Sequence, residues 1–393
     1  MHIEKKYNDI RARVRDFAER VIAPHASEVD ETGLYPRELF DAMGKEGYLG
    51  MVVPKEYGGS GFEFLEYVIA VEELSRVCGS TGIALAAHNG LGCSPIVRFG
   101  NEAQKKKYLP DIASGKKMAS FGLTEPQAGS DSGNTQTAAV KVAGGWKITG
   151  TKCWITNASF GQVFNLTARS DVNSKGPKGI SAFIIEREWK GFSSGKKENK
   201  MGLRGSDTAF LHLDEVFCPQ ENLLGEEGHG FKLFMMTLDT GRIAIGGMAL
   251  GLAQGAFDVA ARYAKERQAF GAPISSYQAI QWKLADMATQ IEASRHLIYH
   301  AARMRDMGLP LVKEASMAKL FASEAANFVT YQAIQVLGGN GYSSRYPVER
   351  MYRDMKLCEI GEGTSEIQRI VISREVLKQS ENLFGGIVAE KLS

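Results

Sequence analysis

Ala138-Ala139-Val140-Lys141-Val142-Ala143-Gly144-Gly145-Trp146-Lys147-Ile148-Thr149 reads as two short β runs around a Gly-Gly turn, in the middle of a chain whose pattern is otherwise helical. The runs are rich in β-branched and aromatic residues, which suit a pleated, half-buried surface, and Gly144-Gly145 supplies the reversal. Residues 163–168, 180–186 and 209–213 repeat the same character, and Gly176-Pro177 adds a further turn signal. Short strands without interleaved helices predict a barrel or sandwich and not a parallel nucleotide-binding sheet. In keeping with this, no G-x-G-x-x-G occurs anywhere in the chain.

On the N-terminal side, Ile10, Val14 and residues 17–21 form one apolar helical face that breaks at Pro24. Further helices are expected over residues 36–47 and 62–78, with the Gly- and Pro-rich stretch 54–61 between them as a loop. On the C-terminal side, Tyr277, Ile280, Leu284, Met287, Ile291 and Ile298 recur in steps that suit a helical bundle, and residues 311–337 and 366–378 continue the style. A chain of 393 residues is too long for one ordinary core. The expected organisation is an α+β chain of three domains: helical over 1–117, β over 118–229 and a helical bundle over 230–393. Residues 243–261 are apolar enough to imitate a membrane span. Gln254, Asp258 and the small-residue spacing Gly247, Gly251, Gly255 favour a buried bundle helix instead, and no membrane span is expected.

A net charge of +2, with 44% apolar and 23% charged residues, gives no reason to expect nucleic acid or an anionic membrane as partner. Lys105-Lys106-Lys107 reads as a solvated helix face. The five cysteines are scattered, with no C-x-x-C, which suits a reducing compartment and argues against a zinc cluster. With no apolar signal core or Arg/Ser-rich segment after Met1, the expected location is cytoplasmic.

Several stretches can carry chemistry. In Gly361-Glu362-Gly363-Thr364-Ser365-Glu366-Ile367-Gln368-Arg369 a carboxylate stands between two glycines just before a helix. It is either a general base or a favourable first-turn charge, with Thr364 or Ser365 as the cap. Phe121-Gly122-Leu123-Thr124-Glu125-Pro126-Gln127-Ala128-Gly129-Ser130-Asp131 offers hydroxyls and backbone N–H groups to a polar ring system or a phosphate, or is a plain connection. Trp154 could stack on a planar cofactor while Thr156 donates to it, or could be a core tryptophan. Arg267 and Gly338-Gly339 end helices, where a dipole partner and a C-cap are the local readings. His296 and His300 have metal-binding spacing without an H-E-x-x-H glutamate, and no metal is expected. No G-x-S-x-G occurs either.

Taken together, these motifs resemble the acyl-CoA dehydrogenase family, of short-chain (butyryl-CoA dehydrogenase-like) type, over nearly the whole chain. The likeness rests on the 122–131 loop, Trp154-Ile155-Thr156, Arg267-x-x-Phe270-Gly271, Gln335-Val336-Leu337-Gly338-Gly339 and Glu362-Gly363-Thr364-Ser365-Glu366, all in the family's order. It implies an α-β-α subunit with a C-terminal four-helix bundle, assembled as a homotetramer (a dimer of dimers) and holding FAD without a Rossmann sheet. The resemblance assigns Phe121, Leu123, Thr124, Gly129, Ser130, Trp154, Ile155 and Thr156 to the flavin. It gives Arg267, Phe270, Gln278, Gln335, Val336, Gly338 and Gly339 to the FAD of the neighbouring subunit, and Thr364 and Glu366 to its adenine-nucleotide part. Ser130, Asp239, Arg242 and Gly363 would face the acyl-CoA.

The family's base lies either in the loop that here holds Glu362 or directly before the arginine equivalent to Arg242. The second position here is Gly241, so Glu362 is the implied base. The implied reaction is α,β-dehydrogenation of an acyl-CoA to the 2-enoyl-CoA, with electrons passing to an electron-transferring flavoprotein. Many relatives carry an aromatic residue where this chain has Gly361, which suggests a wider site with room for a bulky or branched acyl group; the expected substrate is a short- to medium-chain or branched/cyclic acyl-CoA. The stretch 84–92, expected at the acyl end, contains His88 and Asn89 but no arginine for a distal carboxylate. The competing readings are a flavin-dependent monooxygenase on the same fold, disfavoured by Glu362, and a helical assembly module without a cofactor.

Overall fold

The computed structural model of the chain describes residues 4–383; the ends of the two outer sections, 1–3 and 384–393, lie outside the described residues. Seven helices come first: α1 (Lys5–Phe17), α2 (Ala26–Thr32), α3 (Arg37–Lys45), α4 (Phe64–Val77), α5 (Gly79–Ala86), α6 (Ser94–Phe99) and α7 (Glu102–Ala113). Their starts follow local chemistry. Asn101 and Gln104 close a reciprocal capping box on α7, and Asp306 accepts from the Phe64 and Leu65 N–H groups at the start of α4. The α1 face Tyr7, Ile10, Val14, Phe17 is buried as its spacing requires.

Eight strands follow: β1 (Ala119–Gly122), β2 (Ala138–Val142), β3 (Gly145–Thr156), β4 (Val163–Arg169), β5 (Ile180–Glu186), β6 (Phe192–Ser194), β7 (Thr208–Pro219) and β8 (Leu223–Leu224). They form one sheet in the order β6-β7-β3-β2-β4-β5-β8, with β1 parallel to β4. Only Ala138 and Arg169 join the two arms at β2/β4. The arms fold over a shared core in which Trp146 of β3 meets Phe183 of β5, and Phe164 of β4 meets Phe192 beside β7. This is the curled, barrel-like sheet expected from short strands without interleaved helices.

The C-terminal section holds α8 (Gly230–Glu266), a small hairpin of β9 (Gln268–Ala269) and β10 (Ala272–Pro273), then α9 (Gln278–Asp306), α10 (Val312–Leu337), α11 (Val348–Ile360) and α12 (Ser365–Leu383). α10 packs on α8, α9, α11 and α12. One core cluster runs continuously from α1 and α4 into this bundle.

The apolar helix α8 is the one described helix long and apolar enough to cross a membrane, and 78% of its most apolar window is buried inside the protein. Its glycines explain why. A Cβ added at Gly251 would lie 2.2 Å from the Glu72 carbonyl oxygen, and one at Gly255 would lie 2.1 Å from that of Arg76. The α4 backbone therefore rests directly on the stripe. Gly251→Ala should lower stability by about 2 kcal/mol, because the obstructing atom is backbone and cannot swing aside. Thermal unfolding checks this, and an unchanged Tm would show that the two helices can separate without cost.

Candidate active site

Between α11 and α12 the chain passes through two left-handed residues, Glu362 at φ 54° and Gly363 at φ 93°. A glutamate adopts this backbone only where its surroundings hold it. Thr364 Oγ1 accepts from the Ile367 N–H at 3.3 Å and so caps α12, while Glu366 is exposed.

The Glu362 side chain turns onto α8. A Cβ at Gly241 would lie 2.0 Å from Oε2, so the carboxylate occupies the space that a side chain there would fill. The Oε2 atom is sealed from solvent and has no hydrogen-bond partner. Desolvation pushes the Glu362 carboxyl up to about 7, against the opposing pull of Lys319 and then Arg242. Arg242, buried beside it, donates to Asp239 Oδ1 at 2.9 Å and to Ser316 Oγ at 3.2 Å. Tyr67 of α4 faces the same carboxylate, and burial and that charge hold its phenol well above its ordinary range. Asp239, Arg242, Glu362 and Gly363 are thus gathered at one place.

A second group lies on the β section. The ion pair of Lys152 with Glu125 (2.7 Å), both wholly buried, anchors the 123–131 loop, and Glu125 also accepts from the backbone N–H groups of Gln136 and Thr137. The Cys153 N–H donates to Thr124 O at 2.9 Å. A register shift in β3 between Lys152 and Ile155, with Trp154 at φ 60°, turns the indole outward to 59% exposure. Trp154 is therefore no core tryptophan. Leu123 and Ile155 are buried, whereas Gly129 and Ser130 stand open. Thr156 is half-buried, and Phe121 stacks at 4.1 Å on Phe234 of α8, five residues before Asp239.

A third group lies apart from Glu362. Arg267, Val336, Gly338 and Gly339, with Tyr263 and Asn340, line a cavity of about 390 Å³ where the ends of α8 and α10 meet. A Cβ at Gly338 or Gly339 would meet nothing within 4 Å, so these glycines leave an open cradle. Phe270 is 97% exposed, Gln335 donates to the Tyr331 hydroxyl, and Gln278 begins α9 on the surface. An outward indole above a polar loop, and a glycine cradle beside an arginine, suit a planar ring system and a phosphate-bearing cofactor respectively.

His88, Asn89 and His296 are engaged within the fold. His88 donates from Nε2 to Ile112 O (3.0 Å) and accepts at Nδ1 from the Ala119 N–H (3.3 Å), with burial pushing its pKa down to about 4. Asn89 is bonded to the backbone of Tyr48. Both tie backbone segments together, so neither presents its polar group to an acyl chain. His296 pairs with Glu292, and among the described residues no group of His, Cys, Asp and Glu could hold a metal. Sequence reading missed Lys319, Gln368 and the Lys152–Glu125 pair. The signal for Lys319 was its place on the apolar face of α10, in step with Ala315, Ala322 and Ala326.

Three helical-sheet-helical sections with a carboxylate facing α8 define an acyl-CoA dehydrogenase-like subunit. The acyl-CoA dehydrogenase N-terminal domain matches residues 4–116, the middle domain 120–216 and the C-terminal domain 228–377. The short-chain-specific acyl-CoA dehydrogenase of Clostridium acetobutylicum is 49% identical over 94% of this chain and 97% of its own. Butyryl-CoA dehydrogenase from Megasphaera elsdenii superposes with a TM-score of 0.93 at 42% identity, covering 96% of this chain and 99% of that one. A chain from the structure of the electron-transferring flavoprotein of Acidaminococcus fermentans, in work on flavin-based electron bifurcation, gives 0.94 at 46% identity with the same coverages. The chain belongs to the acyl-CoA dehydrogenase family. It is an oxidoreductase, and its cofactor is FAD, which a related acyl-CoA dehydrogenase from Bacillus anthracis contains (TM-score 0.90, 34% identity, 97% of this chain and 69% of that one).

Proposed function

We propose that the protein dehydrogenates a short- to medium-chain or branched acyl-CoA to its 2-enoyl-CoA, with Glu362 as the α-proton base. One observation carries the reading: an orphaned carboxylate oxygen, desolvated and seated in the space left by Gly241. When bound, FAD supplies the acceptor for the β-hydride. Glu362 takes the α-proton and becomes a neutral acid as the carbon–carbon double bond forms. The developing enolate oxygen needs a preorganised donor, a role we assign to the Glu362 backbone N–H. Arg242 and Asp239 orient the thioester's CoA arm, and Trp154, Thr156 and Ser130 hold the ring system. Arg267, Gln335, Gly338 and Gly339, set apart from Glu362 within one chain, would serve the neighbouring subunit's FAD in a dimer of dimers. Exposed Trp282, Tyr331 and Ile370 on the bundle are compatible with such an assembly. The butyryl- and short-chain relatives support the acyl class, and the electron-transferring flavoprotein neighbour supports that protein as acceptor.

Gly361 would tolerate a Cβ at ordinary contact distance from Leu357, so a side chain is missing there without being sterically forbidden. A branched acyl group has that space. The test is anaerobic mixing of the FAD-loaded protein with straight, branched and cyclic acyl-CoAs, read as bleaching of the flavin band. Bleaching by none of them sinks the proposal. With the best substrate, the bleaching rate should rise with pH through about 7 and then level, as Glu362 becomes the free carboxylate. A rate flat from pH 5 to 9 contradicts a base with a raised pKa.

A further inference from the structure

We propose that Lys319 and Gln368 are positioning residues of the base loop, a two-donor clamp on its carbonyls that fixes where the Glu362 carboxylate points. The proposal rests on the reading of Glu362 as the base. Lys319 Nζ of α10 donates to Gly363 O at 2.7 Å. Gln368 Nε2 of α12 donates to the same oxygen at 3.0 Å and to Glu362 O at 3.2 Å. Both side chains are wholly buried. They approach from different helices and converge on the two residues whose backbone is left-handed. Gly363 is required for this convergence, since a Cβ there would lie 2.7 Å from Gln368 Nε2.

Packing alone gives no reason for a lysine at 319. Its neighbours along the helix face, Ala315, Ala322 and Ala326, are apolar and buried, and burying an ammonium is costly unless it is paired. Among the described residues Lys319 forms no ion pair with a carboxylate; its direct partner is the loop carbonyl. A methionine would fill the same volume without that cost.

The charges around the loop come from every helix that packs on it. Arg242 of α8, paired with Asp239, and Lys319 of α10 favour the charged form of Glu362, while Tyr67 of α4 faces it from the N-terminal section. Cys358 and Glu359 of α11 act on Lys319 itself. Removing Lys319 therefore removes one of two cations opposing the desolvation of Glu362. Removing Gln368 changes only geometry. The two donors separate charge from position.

Three variants test this, each FAD-loaded: Lys319→Met, Gln368→Leu and Glu362→Gln, followed by anaerobic bleaching across pH and by calorimetric affinity for a CoA thioester. Lys319→Met should slow bleaching by about 10- to 100-fold. It should also move the pH midpoint up by about one unit. Gln368→Leu should slow the rate with the midpoint unmoved, and thioester affinity should stay within a few-fold in both. Should Lys319→Met fail to accumulate folded, Lys319→Gln removes the charge while keeping a polar group, and the same upward midpoint is expected. An unmoved midpoint in the folded Lys319 variant, or a parent rate in Gln368→Leu, overturns the clamp while the inactivity of Glu362→Gln leaves the base reading standing. A parent rate in Glu362→Gln overturns the base reading itself.

Discussion

Glu362→Gln should bind FAD and a CoA thioester as the parent does, yet bleach at least about a thousand-fold more slowly, the upper part of the range expected when a general base is removed. The amide has nearly the shape of the carboxylate, so the fit against Gly241 is preserved and no cavity opens. What it loses is the basic oxygen. The stability of the variant gives a second, independent reading. Glu362 is held at about 7 against an ordinary value of 4.5, so between those values the folded protein binds a proton that the unfolded chain does not. The parent's carboxyl is accommodated without penalty below about 4.5, and its contribution is lost as pH rises through about 7. The variant should therefore melt above the parent at pH 8, and the gap should close as pH falls towards 4.5. Equal melting at pH 8, or a bleaching rate near the parent's, would show that the carboxylate is neither desolvated nor the base.

The parts of this molecule that depend on local patterning were legible in the sequence. β-branched and aromatic content with turn residues marked β2, β4 and β5 nearly end to end, and the glycine stripe of α8 announced a close-packed helix. Elements whose form is set from outside were not. β1 is only four residues long and exists by pairing with β4, so its last two residues, Phe121 and Gly122, read as the start of a loop. The helix α5 and the π-helical stretch Ala87–Cys93 that joins it to α6 carry glycines that weaken any helical signal and are held by burial. The same division runs through the site. Glu362 and Trp154 stood out because glycines and a strand end made them conspicuous. Lys319 and Gln368 did not, since a buried lysine in an alanine-rich helix and a glutamine one turn into another gain meaning only when α10 and α12 are brought together. His88 carries no such meaning in the site, since its two ring nitrogens are occupied by the Ile112 carbonyl and the Ala119 N–H.

Gly241→Ala should slow bleaching by about 100-fold while leaving Tm at or slightly above the parent's. The added methyl carbon would lie 2.0 Å from Glu362 Oε2, 2.9 Å from its Cδ and 3.2 Å from Oε1, which no contact can tolerate. The helix is held in place, because Arg242 is fastened to Ser316 of α10 and α8 rests on the α4 backbone through Gly251 and Gly255. The carboxylate is the free end of a side chain, so it is the group that moves. A shift of about 1 Å in a reacting group costs about two orders of magnitude in rate. Relieving the clash in this way costs the fold little, and alanine in a helix interior recovers up to about 1 kcal/mol over glycine. Activity and stability are thus expected to part company at this position. The opposite pattern, a parent-like rate with a lowered Tm, would mean that the backbone yields before the carboxylate does, and that Gly241 serves the packing of α8 and not the placement of the base.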